Sequence, residues 1–278
     1  MTSGSDRTPA RAPRIITSLQ NDHVKFVRSL RMRKVRRETG QFFVEGATVL
    51  ITARDRGWTP RTLIYAATDK QSPATRGLVA WALDAGAECL EVSEAVMAKI
   101  ASKENPQNVM AVFDQRWAPL PEAGAEPADG AWVVLEEVRD PGNLGTIIRT
   151  ADAVGARGVI LAGQSCDPYS PEAGRATMGS IFSVPIARTE RARMLDVMRA
   201  WPGDVVGTHL AATQDFRGTY RGPTMLVMGA EGAGLSRELA AACNRLVKIP
   251  MTGSLDSLNL AIATALALYQ IRGPHLRI

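Results

Sequence analysis

Trp132-Val-Val-Leu-Glu-Glu-Val-Arg-Asp-Pro-Gly-Asn-Leu-Gly-Thr-Ile-Ile-Arg149 runs from an apolar strand pattern, through a Pro-Gly turn, into a helical pattern. Pro141-Gly142 forces the turn, and Asn143 suits the N-cap of a helix over residues 144–154. Two later stretches have related designs. Met228-Gly-Ala-Glu-Gly-Ala-Gly-Leu-Ser236 follows a strand pattern at 224–228. Ile249-Pro-Met-Thr-Gly-Ser-Leu-Asp-Ser-Leu-Asn259 follows one at 245–249 and leads into a helix over 257–271. In a parallel α/β sheet, all three turns fall on the carboxyl edge, where ligands bind.

Outward from these stretches, strand patterns at 158–162 and 205–209, and a strand-like 182–186 limited to an edge by Pro185, complete the set. They alternate with helical patterns at 173–178, 191–201 and 236–243, which predicts a mostly parallel sheet. Upstream, strands at 41–45, 61–65, 88–92 and 109–113 alternate with helices at 47–56, 75–85 and 93–100. The domains expected are a flexible tail (1–14), a small α/β domain (15–115), a Pro/Ala/Gly/Glu-rich linker (116–130) and a second α/β domain (131–278).

Charge is segregated. Residues 1–61 carry thirteen Lys and Arg against five Asp and Glu, whereas the remainder carries twenty against twenty-three. A basic segment of this kind is the footprint of a polyanion partner. Its densest part, 22–37, predicts one helix with an apolar stripe of Val24, Val27 and Leu30, which Met32 and Val35 can extend. Arg33, Lys34, Arg36 and Arg37 stand among its basic residues, either as a solvated face or as phosphate contacts. Cys89, Cys166 and Cys243 are far apart and unpaired in number, which argues for a reducing cytoplasm and small buried thiols. The three histidines have no metal-ligand spacing, so no metal is expected. The N-terminus lacks the apolar core of a signal peptide, and no apolar run approaches a membrane span.

Dinucleotide Gly-x-Gly-x-x-Gly after a strand and the Gly-Lys-Ser/Thr phosphate loop are both missing, which counts against NAD and P-loop nucleotides. Taken singly, the polar residues of the three turns have ordinary readings. Asn143 can be a cap, Arg149 a surface ion pair, Glu231 a turn stabiliser and Ser257 the cap of the last helix. Glu231 can also orient a basic group such as Arg149. Asn259, inside that helix, is costly unless its amide finds a partner.

Together, and in this order, the stretches resemble motifs 1, 2 and 3 of the SpoU (TrmH) branch of the SPOUT RNA methyltransferases. Asn143, Gly145, Arg149 and Ala151 carry the first motif. Gly229, Glu231, Gly232 and Gly234 carry the second, and Pro250, Met251, Ser257, Leu258 and Asn259 the third. Residues 170–185 resemble the family's intermediate segment. Residues 41–46 and Asn105-Pro-Gln107 to Phe113 resemble its accessory RNA-binding domain, which is similar to small α/β ribosomal proteins. The resemblance implies a trefoil-knotted domain with residues 228–269 threading back, S-adenosylmethionine (AdoMet) as methyl donor, and a homodimer with the site at its interface. Met228, Gly229, Gly232, Ile249, Met251 and Leu258 would line the donor pocket. Arg149 would act on a ribose 2′-hydroxyl, with Asn143, Glu231, Ser257 and Asn259 around it. Ribosomal RNA is the implied substrate. Transfer RNA, or RNA binding without catalysis, is the alternative.

Overall fold

The computed structural model describes residues 12–101, 107–122, 124–254 and 257–277. Most of the expected tail, Asn105 with Pro106, and Asp256 lie outside the described residues. The chain divides into two compact units. One runs to Gln115 and includes Tyr169–Pro171; the other comprises Arg116–Pro168 and continues from Glu172.

The first unit contains β1 (Arg14–Ile16), α1 (Asp22–Ser29), α2 (Arg33–Thr39), β2 (Gln41–Glu45), α3 (Ala47–Asp55), β3 (Thr62–Ala66), α4 (Pro73–Asp84), β4 (Glu88–Val92), α5 (Glu94–Ile100) and β5 (Val109–Asp114). Its sheet has the order β1-β4-β3-β5-β2. β1, β4 and β3 are parallel, whereas β5 runs antiparallel to β3 and β2. Arg14, read from sequence as tail, opens β1. Val24, Val27 and Leu30 pack with Phe43, Ile64, Leu90, Met97 and Met110, which seats α1 and α5 on one face of the sheet. Phe42, Trp58 and Phe113 form edge-on and tilted aromatic contacts with centroids 6.0–6.2 Å apart, a geometry that adds to simple area burial.

The expected helix over 22–37 is two helices, and the reason corrects a site assignment. Arg36 is buried (3% exposed). Its Nη1 donates to the carbonyls of Leu30 (2.7 Å) and Arg31 (2.8 Å) at the end of α1. Helix ends leave carbonyls without intrahelical partners, and this guanidinium satisfies two of them across the break. Arg31 does the same for α5, donating to Ile100 O at 2.9 Å and to Ala101 O. Arg36 therefore leaves the set of candidate RNA contacts. Arg33, Lys34 and Arg37 remain exposed. Arg36→Ala is expected to lower unfolding free energy by about 2–3 kcal/mol, because it strands buried acceptors of a charged donor. Urea denaturation checks this; a change below about 0.5 kcal/mol, the size of an ordinary surface substitution, would contradict it.

The second unit contains β6 (Ala131–Glu136), α6 (Pro141–Ala153), β7 (Gly158–Ala162), α7 (Pro171–Ala176), β8 (Ile186–Thr189), α8 (Arg191–Arg199), β9 (Val205–Thr208), β10 (Gln214–Asp215), β11 (Thr224–Met228), α9 (Arg237–Ala242), β12 (Arg245–Lys248) and α10 (Leu260–Arg272). Seven parallel strands are ordered β10-β12-β9-β11-β6-β7-β8. The chain walks outward from β6 to β8, crosses to β9, and then inserts β11 between β9 and β6. That reversal makes the carboxyl ends of β6 and β11 a switch point, the usual place for a ligand crevice. The pairing Met228↔Leu135 sets their turns side by side. The strand-like 182–186 resolves into a 3-10 turn at Ser180–Phe182, with β8 starting at Ile186 beyond Pro185. Proline has no N–H for the ladder.

The expected linker is held to the second unit. Ala118 N donates to Ile186 O (2.8 Å), and the Arg188 guanidinium lies 4.5 Å from the Trp117 ring centroid. Ala118 and Leu120 pack on the core beneath α8 and α9, and Glu126 pairs with Arg157 at 3.2 Å. The apolar Ala118 and Leu120 dock it there. Among the described residues, no helix is long and apolar enough to cross a membrane.

Candidate functional site

Asp140, not Asn143, caps α6, and its Oδ1 accepts from Asn143 N at 2.6 Å. Asp before Pro is a strong start signal, since Pro141 at the first helical position gives up no bonded N–H. Asn143, inside the first turn, is thereby released from capping. Its Nδ2 donates to Glu231 Oε1 (3.2 Å), and its Oδ1 accepts from Asn259 Nδ2 (2.9 Å). Asn259 is the true cap of α10, its Oδ1 accepting from Ala261 N (2.9 Å) and Ile262 N (3.2 Å). Ser257 lies outside that helix, exposed, which corrects the cap expected there. Capping also removes the cost expected of Asn259 within a helix.

The amide orientations are mutually consistent. An ionised carboxylate only accepts, so Glu231 must face Asn143 Nδ2. Asn259 Oδ1 is engaged by the helix, so its Nδ2 faces Asn143 Oδ1. One asparagine thus joins all three turns. Glu231 Oε2 additionally accepts from Arg139 N at 3.3 Å. Its carboxylate therefore orients Asn143 and the turn after β6, rather than Arg149 as expected.

Arg149 stands apart. It is exposed on α6, six residues beyond Asn143, which places it about 9 Å along the axis and about 120° around it. Among the described residues, no hydrogen bond or ion pair joins it to Asn143, Glu231 or Asn259. Gly145 lies one turn before it, where an added Cβ would come within 2.5 Å of Ala173 O and Ala176 Cβ, so α6 and α7 meet there.

The glycine loop after β11 is tightly folded. A Cβ on Gly229 would lie 2.0 Å from the Gly234 carbonyl carbon and 2.1 Å from Leu235 N. Gly234 N donates to Ala230 O at 2.9 Å. Met228 and Gly229 are buried, Gly232 is exposed at the loop tip, and Ile249 and Met251 are half-buried after β12. Leu258 is exposed just before α10. Sequence reading missed Thr208, which ends β9 between β11 and β12; its Oγ1 lies 3.4 Å from Met228 Sδ. Its signal was the same as for the other turns, a polar residue closing an apolar strand.

Cys166 borders the site. Burial first, then the Glu231, Asp140 and Asp167 carboxylates, push its thiol up to about 12. Burial likewise raises Cys89 to about 11 and Cys243 to about 12. Thiols so shifted stay protonated at neutral pH and are poor nucleophiles. Among the described residues, no group of three His, Cys, Asp or Glu side chains could hold a metal.

Residues 130–269 match the model of the SpoU rRNA Methylase family, and residues 21–111 that of the MRM3-like substrate binding domain. A 23S rRNA (uridine(2479)-2′-O)-methyltransferase from Streptomyces viridochromogenes is 34% identical, covering 96% of this chain and 94% of that protein. The 23S rRNA (guanosine(2553)-2′-O)-methyltransferase RlmP of Bacillus subtilis is 30% identical over 93% and 99%. The crystal structure of an AdoMet-bound rRNA methyltransferase from Sinorhizobium meliloti superposes with a TM-score of 0.87 at 44% identity, covering 95% of this chain and 99% of that one. These matches, which together span both units, show that the chain belongs to the SpoU rRNA methylase family.

Proposed function

We propose that this protein transfers the methyl group of AdoMet to a ribose 2′-hydroxyl of ribosomal RNA. The observation that carries the reading is the Asn143 amide, which ties the turns after β6 and β11 to the start of α10 at one sheet edge. Met228, Gly229, Gly232, Ile249, Met251, Leu258 and Thr208 hold the donor, through strand-end backbone groups and apolar side chains. The 2′-oxygen attacks the methyl carbon in line, the carbon–sulfur bond breaks, and the hydroxyl proton leaves. Asn143, Glu231 and Asn259 hold the geometry, and Ser257 contacts the ribose. Alignment of this kind supplies much of the barrier reduction. Arg149 positions the ribose and, through its planar pair of N–H donors, an RNA phosphate that accepts the proton.

A homodimer and a knotted C-terminal path belong to the same reading. Leu258, Ile262, Leu266 and Tyr269 are 39%, 52%, 41% and 51% exposed. Their spacing of four, four and three residues puts Ile262, Leu266 and Tyr269 on one face of α10, with Leu258 just before it. A second copy covers this row. A site shared between copies gives a physical reason for Arg149 to stand apart from the Asn143 network of its own chain. The knot is supported by the route of the chain, which leaves β12 beyond β9 and returns to lay α10 against α6. Free thiols at Cys89, Cys166 and Cys243 suit a cytoplasmic setting.

Labelled methyl transfer to unmodified 23S rRNA and to tRNA transcripts tests the substrate. Incorporation into 23S rRNA is expected; incorporation into tRNA alone would overturn the reading. RNA affinity is also expected to fall with rising salt. Replacing Arg33, Lys34 and Arg37 by Gln should flatten the log–log slope by about 2–3, close to one for each phosphate that is no longer neutralised. An unchanged slope would make that face a solvated surface only.

A further inference from the structure

We infer that Glu136 is a positioning residue for the methyl-donor loop, strapping its far end to β6 while Asn143 secures the near side. The inference rests on the donor reading of that loop. Glu136 is the last residue of β6 and is 3% exposed. Its Oε2 accepts from Ser236 N at 2.8 Å, and its Oε1 from Arg191 Nε at 2.8 Å. Both oxygens are engaged, as a buried carboxylate requires. Ser236 immediately follows the loop and caps α9.

Arg191 opens α8 and also donates Nη2 to Glu137 Oε1 at 2.9 Å. Glu137 has φ 51°, a left-handed conformation that a residue with a Cβ keeps only when its surroundings impose it. Consecutive glutamates at the exit of β6 therefore engage the end of the loop and the start of α8. At the other side, Glu231 is held by Arg139 N and Asn143 Nδ2. Both ends of the loop are referenced to residues 136–143, the segment that also sets α6. Donor and acceptor sides of the site thus share one origin.

Three full-length variants test this. Glu136→Gln leaves one of the two donors facing an amide N–H. Ser236→Pro deletes the strapping N–H together with the side-chain cap; Ser236 has φ −61°, which proline adopts unstrained. Ser236→Ala loses only that cap. AdoMet Kd by calorimetry is expected to rise at least about tenfold in Glu136→Gln and Ser236→Pro. Their kcat at saturating AdoMet and KM for 23S rRNA should stay within about threefold. Ser236→Ala should lower Tm with its AdoMet Kd unchanged. Hydrogen exchange at Ser236 should accelerate in Glu136→Gln. Folded variants with lowered Tm and wild-type AdoMet Kd would overturn the positioning role, as would Ser236→Ala matching Ser236→Pro in Kd. A wild type that binds no AdoMet overturns the donor reading itself, and the role with it, even if Ser236 exchange confirms the strap.

Discussion

Replacing Arg149 by alanine is expected to reduce methyl transfer by about 10³-fold, the size seen when an organised charge-stabilising donor is removed from an active site. AdoMet affinity should stay within about twofold, a factor worth only about 0.4 kcal/mol. The two effects separate because Arg149 lies about 9 Å along α6 from Asn143 and on another face, away from the loop after β11. In the proposed reading it stands beside the acceptor ribose. Single-turnover rates with saturating RNA and donor read the loss directly. Arg149→Lys keeps a positive charge but lacks the two-pronged geometry suited to phosphate, so it should recover little. Full turnover in Arg149→Ala would remove this residue from the chemistry.

Gly229→Ala should abolish donor binding. The added methyl would sit 2.0 Å from the Gly234 carbonyl carbon and 2.1 Å from Leu235 N. Both atoms are backbone, so no side-chain rotation relieves the clash. The loop must open, which breaks the Gly234 N to Ala230 O bond and moves Glu231 away from Asn143. AdoMet affinity is expected to fall at least about 100-fold, or about 2.7 kcal/mol. The rest of the second unit should survive, because the strands beneath the loop keep their pairing. Wild-type AdoMet affinity in a folded Gly229→Ala would contradict the loop's role in holding the donor.

The apolar strands and the Gly-rich turns were legible because period-two and strand-length patterns are local properties. Pairing order was not. Nothing in 224–228 says that it inserts between β9 and β6, since a parallel contact is made with residues far along the chain. β1 and β10 have three and two residues, too few for any pattern, and they exist as strands through their neighbours. The split between α1 and α2 is not legible, because Val35 continues the apolar stripe beyond it. Arg36 folds back across the break onto two carbonyls, and a basic residue in a basic run gives no sign of being buried. Within the site, Asn143, Glu231 and Asn259 were conspicuous as polar residues near glycine turns. Their connections were not, because Asp140 and Asn143 are both good caps, as are Ser257 and Asn259. Which one caps decides which amide is free to join the turns.

The most direct test is the chemical position of the methyl group. Purified protein is incubated with AdoMet and unmodified 23S rRNA, and the RNA is then cleaved with alkali. A 2′-O-methyl group blocks cleavage at its own nucleotide, so the account predicts one new gap in the alkaline ladder, absent when Arg149→Ala is used. A methylated base with an uninterrupted ladder, or rRNA left unmethylated at saturating AdoMet, would contradict it.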